Sequence, residues 1–467
     1  MSENQHRFQR TRHFFALLRQ AVAGSEQDYT QLSLNKAIFL LAVPMILEMA
    51  MESLFAVVDI FFVSKLGSHA VATVGLTESM MTLVYSIAMG LSMAATAFVA
   101  RRVGERKPDE AAHSAVQVIY VALAVSLLIG LTGVFFASGL LRLLGAPPDV
   151  VEHGSTFTRM MFGSNVVIML LFLINGIFRG AGDASLAMRA LWIANVINII
   201  LCPTLIFGFK LGLNGAALAT IIGRGTGMLY GMYHLLRSKG TIKIVRSYMT
   251  LDMPLVGRII KLASGTTIQY LIGSASWIFL IRIVAQFGAE ALAGYTISLR
   301  IIMFTLLPAW GLSNAAATLV GQNLGGGHPD RAEQSVWKSA FYNMIFLGSI
   351  SLIYVLFARQ VIGFFTPEKD VIRFAVQSLT IISLGYLFYA YGMVVTQSFN
   401  GAGDTRTPTW LNIIFFWILQ IPLAYFLALV LKLGPNGVFL SILIAQVLIA
   451  IASIVIFRRG KWKTVRL

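Results

Sequence analysis

Apolar runs of about 20 residues or more recur along the whole chain, separated by short polar clusters, and each can cross a roughly 30 Å hydrocarbon layer as a helix. They predict helices near 37–65, 70–100, 111–140, 155–178, 186–209 and 213–236, then near 255–287, 291–319, 335–358, 372–399, 410–431 and 437–457. Twelve crossings divide six and six. The predicted organisation is a polar tail (1–35), a first six-helix lobe (36–237), a linker (238–254), a second six-helix lobe (255–457) and a basic tail (458–467). Residues 1–35 hold Arg7, Arg10, Arg12 and Arg19 but no apolar core followed by a small-residue cleavage site, so they do not read as a secretory signal.

The two halves are copies. At an offset of 221 positions, Gly67, Ala70 and Ala72 align with Gly288, Ala291 and Ala293, and Gly90, Leu91 and Ser92 align with Gly311, Leu312 and Ser313. Gly104, Pro108 and Asp109 fall on Gly325, Pro329 and Asp330, and the Gly-Ala-Gly-Asp run ending at Asp183 falls on the one ending at Asp404. After one inserted residue, Asn214 and Gly215 match Asn436 and Gly437. Copies with an even number of helices insert with the same orientation, related by an axis along the membrane normal, and a cavity between lobes is the expected substrate site. In the matched Gly-Asp turns, glycine is read as a left-handed helix cap and the aspartate as the cap of the next helix. Gly223, Gly225 and Gly227 lie inside an apolar helix with no preceding strand and are read as helix packing rather than nucleotide binding.

Composition agrees with lipid as the main solvent: 57% of residues are hydrophobic and 12% charged, against about a quarter charged in soluble domains. The net charge of +16 is distributed unevenly. Arg101, Arg102, Arg106, Lys107, Arg179, Arg189, Arg237, Lys239, Lys243, Arg246, Arg331, Lys338 and Arg406 share a predicted face with both tails, while Lys65, Arg142, Lys210, Arg359, Lys369 and Lys432 lie opposite. The excess of cations on one face predicts cytoplasmic termini in a bacterial-type inner (plasma) membrane and explains the charge without nucleic acid. The single cysteine, Cys202, excludes an internal disulfide.

Candidate chemistry lies in the first helix. Glu48, Glu52 and Asp59 occupy an apolar segment, and spacings of four and seven place them within roughly 40° of arc on one stripe. The second copy has Gln269, Gly273 and Leu280 at these positions, so the acids are specific to the first half. Carboxylates at membrane depth normally face the bundle interior or a wet cavity, which makes the stripe a cation or proton site. Clustered acids that cannot all ionise together share protons. Arg300 is a possible structural counter-ion, and Glu78 could join the cluster. Pro44 removes one backbone hydrogen bond from the same helix and invites a bend there.

The run from Val58 through Asp59 to Gly67, the two Gly-Ala-Gly-Asp turns and the stretch from Asn198 to Cys202 and Pro203 resemble the multidrug and toxic compound extrusion (MATE) family, over residues 35 to 457. The resemblance implies an all-α integral membrane fold of two six-helix lobes forming a V. It implies export of cationic or amphipathic small molecules in exchange for H+ or Na+, with no cofactor beyond the coupling ion, and a monomer is expected. Family cation-site positions fall on Asp59, Asn198 and Thr220, while the usual second acidic or amide group is replaced by Cys202. A thiol is a poor ligand for a hard ion, so the Na+ site looks incomplete and protons are favoured. The alternative is a flippase or exporter of lipid-linked sugars or other amphipathic anions, which would need a cationic cavity. Signatures of a zinc peptidase, a serine hydrolase or a phosphate-binding loop are absent from the sequence, so an enzyme is not expected.

Overall fold

A computed structural model describes residues 3–24, 28–237 and 241–467; Lys239 and its neighbours in the linker, with the side chains of Arg7 and Arg10, lie outside the described residues. Every described element is helical. The residues read as a polar tail form α1 (Glu3–Ala23), whose Phe14 ring meets Phe39 edge-on at 5.8 Å. The first lobe comprises α2 (Leu34–Ser64), α3 (Ser68–Gly104), α4 (Pro108–Leu143), α5 (Pro148–Gly163), α6 (Asn165–Ala181), α7 (Ala184–Pro203) and α8 (Gly212–Arg237). The second comprises α9 (Met253–Val284), α10 (Ala289–Gly325), α11 (Pro329–Gly363), α12 (Lys369–Leu384), α13 (Tyr386–Ala402), α14 (Arg406–Asn412), α15 (Ile421–Tyr425) and α16 (Pro435–Arg458).

Ten helical stretches among the described residues are long and apolar enough to span a membrane, α5 and α6 counting as one. The pair α12 and α13, bent by 56° at its break, makes an eleventh. The remaining expected crossing, α8, has 26 residues, but Arg224 and the glycines at 212, 215, 223, 225, 227 and 231 dilute its hydropathy. Those glycines serve packing: a Cβ on Gly223 or Gly227 would stand 2.5 Å from a carbonyl oxygen of α7.

The duplication recurs in three dimensions as reciprocal contacts between lobes. A Cβ at Gly104 would lie 2.0 Å from the Gln322 carbonyl, and one at Gly325 would lie 2.1 Å from the Arg101 carbonyl. Both residues of the first contact map onto the second at the offset of 221. Gly90 against Ala263 and Thr267 pairs in the same way with Gly311 against Met45, so α3 crosses α9 and α2 crosses α10 with backbones nearly touching. Gly182 and Gly403 end α6 and α13 at φ 88° and 93°, as read from the turns. Asp404 accepts the Thr407 N–H at 3.1 Å, and Asp183 accepts the Ser185 hydroxyl at 3.0 Å.

The residue inserted between the copies has a visible home. The π-helical segment Thr204–Gly208 after α7 reappears as Phe426–Val430, now at an offset of 222, so the insertion lies upstream. There the second copy carries an additional π-helical run, Ile413–Gln420, absorbing the extra residue that an α-helical turn cannot hold.

One end of the molecule is sealed by the chain termini. Tyr29 donates to the Gly182 carbonyl at 3.0 Å and Gln322 to the Gly180 carbonyl at 2.9 Å. Arg331 reaches the backbone of Tyr29 and Leu32, Arg101 holds the Val465 carbonyl, and Lys463 bridges Asp330 (3.2 Å) and Glu333 (2.6 Å). Toward the other ends of α3 and α10, Glu78 and Arg300 are exposed.

The lobe crossings predict a selective sensitivity. Gly104→Ala and Gly325→Ala should each lower stability by about 1–3 kcal/mol through overpacking. Gly257→Ala, exposed on α9 with open space around its Cα, should be neutral or slightly stabilising. Thermal unfolding of the purified protein in detergent separates the two classes.

Candidate functional site

The acids of α2 keep the single stripe that their spacing dictates, rising about 16 Å from Glu48 to Asp59, but each meets different partners. Glu48, 1% exposed, accepts from Asn175 Nδ2 and Arg179 Nη1 of α6, both at 3.1 Å. The other arm of Arg179 donates to Ser92 Oγ of α3 at 2.8 Å, and Glu48 Oε2 has no hydrogen-bond partner. One turn on, Glu52 accepts from Arg224 of α8 at 2.8 Å and from Asn195 of α7 at 3.2 Å. The Arg224 guanidinium also lies 5.0 Å from the Phe55 ring centroid and 5.6 Å from that of Phe172, so aromatic faces share its desolvation.

Two neighbouring turns of α2 thus hold two ion pairs, in which each charge has an opposite charge in contact, while Arg224 Nε and Nη1, like Glu48 Oε2, stay buried without a hydrogen-bond partner. The counter-ions of the glutamates are Arg179 and Arg224. Arg300 stands exposed on α10 and takes no part in these pairs. Arg179, read as one of the cations on the tail-bearing face, is 6% exposed inside the lobe. Sequence reasoning missed it as a partner because it sits near a helix end, but Asn175 and Arg179, four residues apart in an apolar helix, are the signal that could have found it.

Asp59 is different. Its Oδ1 has the Cys202 thiol at 3.8 Å, and among the described residues neither Asp59 nor Glu78 forms an ion pair. Both line a cavity of about 40 Å³ with Thr77, Tyr85 and Thr220. Asn198 donates to Thr220 Oγ1 at 3.1 Å and leaves its own Oδ1 buried without a partner. Asp59, Asn198, Thr220 and Cys202 are therefore grouped in the upper part of the lobe, apart from Glu48. As a Na+ site the set offers a carboxylate, a free amide oxygen and a hydroxyl with a thiol beside them. A hard ion wants more oxygen ligands than that, so the fit is incomplete. Pro44 is buried within an unbroken α2, one residue from Met45, where α10 crosses.

The second copy supplies a comparison inside the same molecule. Glu48 and Arg179 correspond at 221 to Gln269 and Asn400, and these also touch: Gln269 Nε2 donates to Asn400 Oδ1 at 3.1 Å. The contact is common to both lobes and is charged in one only. Glu52 corresponds to Gly273, and Arg224, beyond the insertion, to Gln446. Around those two residues the second lobe is hollow, with a cavity of about 310 Å³.

The inherited contact yields a stability prediction. Arg179→Gln alone leaves Glu48 buried without its cation and should cost about 3 kcal/mol. Adding Glu48→Gln turns the pair into amides, as in the second lobe, and should recover more than half of that loss in detergent unfolding curves. Equal instability of single and double variants would contradict a neutralisation role.

Comparison with known proteins places this geometry in a family. The family model described as MatE matches residues 44–204 and again 266–426, one match in each lobe. The probable multidrug resistance protein YoeA of Bacillus subtilis (strain 168) is 26% identical over 423 residues, 89% of this chain and 91% of its own length. The multidrug export protein MepA of Staphylococcus saprophyticus is 24% identical over 427 residues, 91% and 93% of the two chains. The outward-facing structure of a multidrug resistance MATE family transporter of the MOP superfamily superposes with a TM-score of 0.90 at 25% identity, covering 94% of this chain and 99% of the other. A MOP superfamily transporter from Pyrococcus furiosus, described as having a binding pocket of reversed polarity that suggests a different function, gives 0.88 at 25% identity over 96% and 98%. With two lobes, two family matches and the same helical frame, this chain belongs to the MatE family of multidrug and toxic compound extrusion transporters.

Proposed function

We propose that this multi-pass plasma-membrane transporter is a secondary active antiporter. It expels cationic or amphipathic small molecules in exchange for protons, with Asp59 and Glu78 carrying the coupling proton. The observation that carries the reading is the contrast within one stripe. Glu48 and Glu52 are held by arginines, whereas Asp59 and Glu78 share a cavity with each other and with hydroxyls but with no paired cation. Two acids that repel across so small a space favour a shared proton, and an arriving cation can displace it. Glu48 and Glu52 belong to the coupling region as its electrostatic floor, with Asn198, Thr220 and Cys202 around the proton site. Na+ coupling is disfavoured by the thiol at Asp59.

An anion flippase would need uncompensated positive charge in the cavity. Arg179 and Arg224 are each matched by a glutamate, which argues against it. Both termini belong on the cytoplasmic face, because the sealed end carries the Arg and Lys excess, and the protein works as a monomer.

Liposomes with an imposed proton gradient and no sodium should export a fluorescent cationic dye, and Asp59→Asn or Glu78→Gln should slow this by roughly tenfold or more. Dye movement driven only by sodium would overturn the proton reading, and no movement under either gradient would overturn the cation reading. Pro44→Ala should leave the unfolding temperature unchanged while slowing turnover severalfold, roughly the effect of stiffening a hinge. Unchanged turnover would remove Pro44 from the cycle.

A further inference from the structure

We propose that α1 is a membrane-surface anchor whose partner is anionic phospholipid in the leaflet at the sealed end of the molecule. The helix is apolar only from Phe14 to Ala23, about 15 Å of length, half of what a crossing needs. It cannot span the membrane, yet it is not packed away in the protein. Phe14, Phe15 and Val22 are 50%, 61% and 37% exposed. The side of α1 that meets the bundle is narrow: Ala21 is 3% exposed among buried residues of α2, and Arg189 of α7 donates to the carbonyls of Val22 and Ala23.

The order of residues around the helix fits an interface. At 100° per residue, Phe14, Leu18, Val22 and Phe15 occupy about 100° of arc beside Ala21, and Arg19 and Arg12, both exposed, follow within roughly a further 60°. A helix lying in a leaflet surface needs that succession: protein contact, an apolar arc toward the acyl chains, then cations level with the phosphates. Its depth is set by α2. The Phe14 ring meets Phe39, about one and a half turns into a membrane-spanning helix, so the apolar arc lies at the edge of the hydrocarbon layer. Charge decides the partner. The sequence of α1 holds four arginines and one glutamate, so a second copy of the helix is repelled while an anionic leaflet attracts it. Because α1 is tied to the first turns of α2, a hold on α1 is also a hold on the start of the acid-bearing helix.

This inference uses no carboxylate and its test no gradient, and nanodiscs present the same lipid to both faces. It therefore stands or falls apart from proton coupling and from which face is cytoplasmic. Backbone hydrogen exchange of α1 is followed by mass spectrometry in the full-length protein, one copy per disc, in phosphatidylcholine and in a mixture with phosphatidylglycerol. Two arginines at an anionic surface strengthen attachment roughly thirtyfold, so exchange in α1 should slow by about that factor in the anionic discs, while exchange in α10 stays the same. Arg12→Gln together with Arg19→Gln should remove most of the slowing, as should high salt. Phe15→Ser should speed exchange of α1 in both lipids. Equal exchange of α1 in the two lipids would overturn the proposal on the unmodified protein, whether or not a variant folds. Slowing that requires two copies in one disc would assign the apolar arc to a second copy and overturn it as well.

Discussion

A charge held among helices in lipid must be matched or wetted, and the first lobe is organised by that constraint. Glu48 and Glu52 draw guanidinium groups from α6 and α8, with asparagines from α6 and α7, onto successive turns of α2, so four helices are tied by two ion pairs and their amide neighbours. Because opposite charges cancel there, the electrostatics of the lobe are left to the acids without arginines. Asp59 and Glu78 are then the acids of the lobe's small cavity that no arginine holds. A site that must load and unload a proton during transport is best separated from the interactions that hold the bundle together. For the proposed proton site that separation is about 10 Å along α2 from the pair at Glu52 and about 16 Å from the pair at Glu48.

Duplication explains how one frame came to hold two different interiors. The contact between Gln269 and Asn400 preserves the position of the Glu48 to Arg179 pair with amides, which shows that helix packing needs a polar contact there but not a charged one. The substitution to Gly273 has the opposite consequence, because losing a side chain in a packed bundle leaves volume. The first lobe thus spends its interior on charge, and the second keeps space and aromatic surface. The lobes meet at a narrower gap of about 50 Å³ bounded by Met49, Ser92 and Arg179 on one side and by Tyr270, Leu307 and Trp310 on the other. Tyr270, Leu307 and Trp310 also line the larger cavity, so the two interiors are neighbours through the same side chains.

Much of the architecture was legible in the sequence because membrane helices announce themselves by length and apolarity, and because a repeat with a single inserted residue shows in residue spacing. The left-handed glycines at 182 and 403 and the stripe of three acids followed from local rules. The partners did not, since a sequence periodicity places a residue on a face without saying what the neighbouring helix presents. Arg179 was assigned to the basic face by its position near a helix end, and Arg300 was the visible candidate for pairing because it lies deep in an apolar run. The separation of Glu48 from the surroundings of Asp59 likewise needed the packing of α6, α7 and α8. The cavity at Gly273 was implicit in the alignment of the halves, but a glycine opposite a glutamate reads as a missing acid before it reads as a missing volume.

The crossing of α2 with α10 connects these features. Pro44 leaves α2 one hydrogen bond short just where Met45 meets Gly311, so the weakest point of the acid-bearing helix is pressed against the other lobe. A change in charge state at Asp59 alters the forces on the far end of α2, and the near end can yield only at this contact or by bending beside it. The reciprocal crossing of α3 with α9 at Gly90 brings the second lobe to the helix that carries Glu78. Both acids of the proposed proton site therefore stand on helices whose other ends are clamped to the partner lobe by glycine crossings. Such an arrangement turns a local electrostatic event into a relative movement of lobes, because tightly packed backbones slide or separate but do not compress.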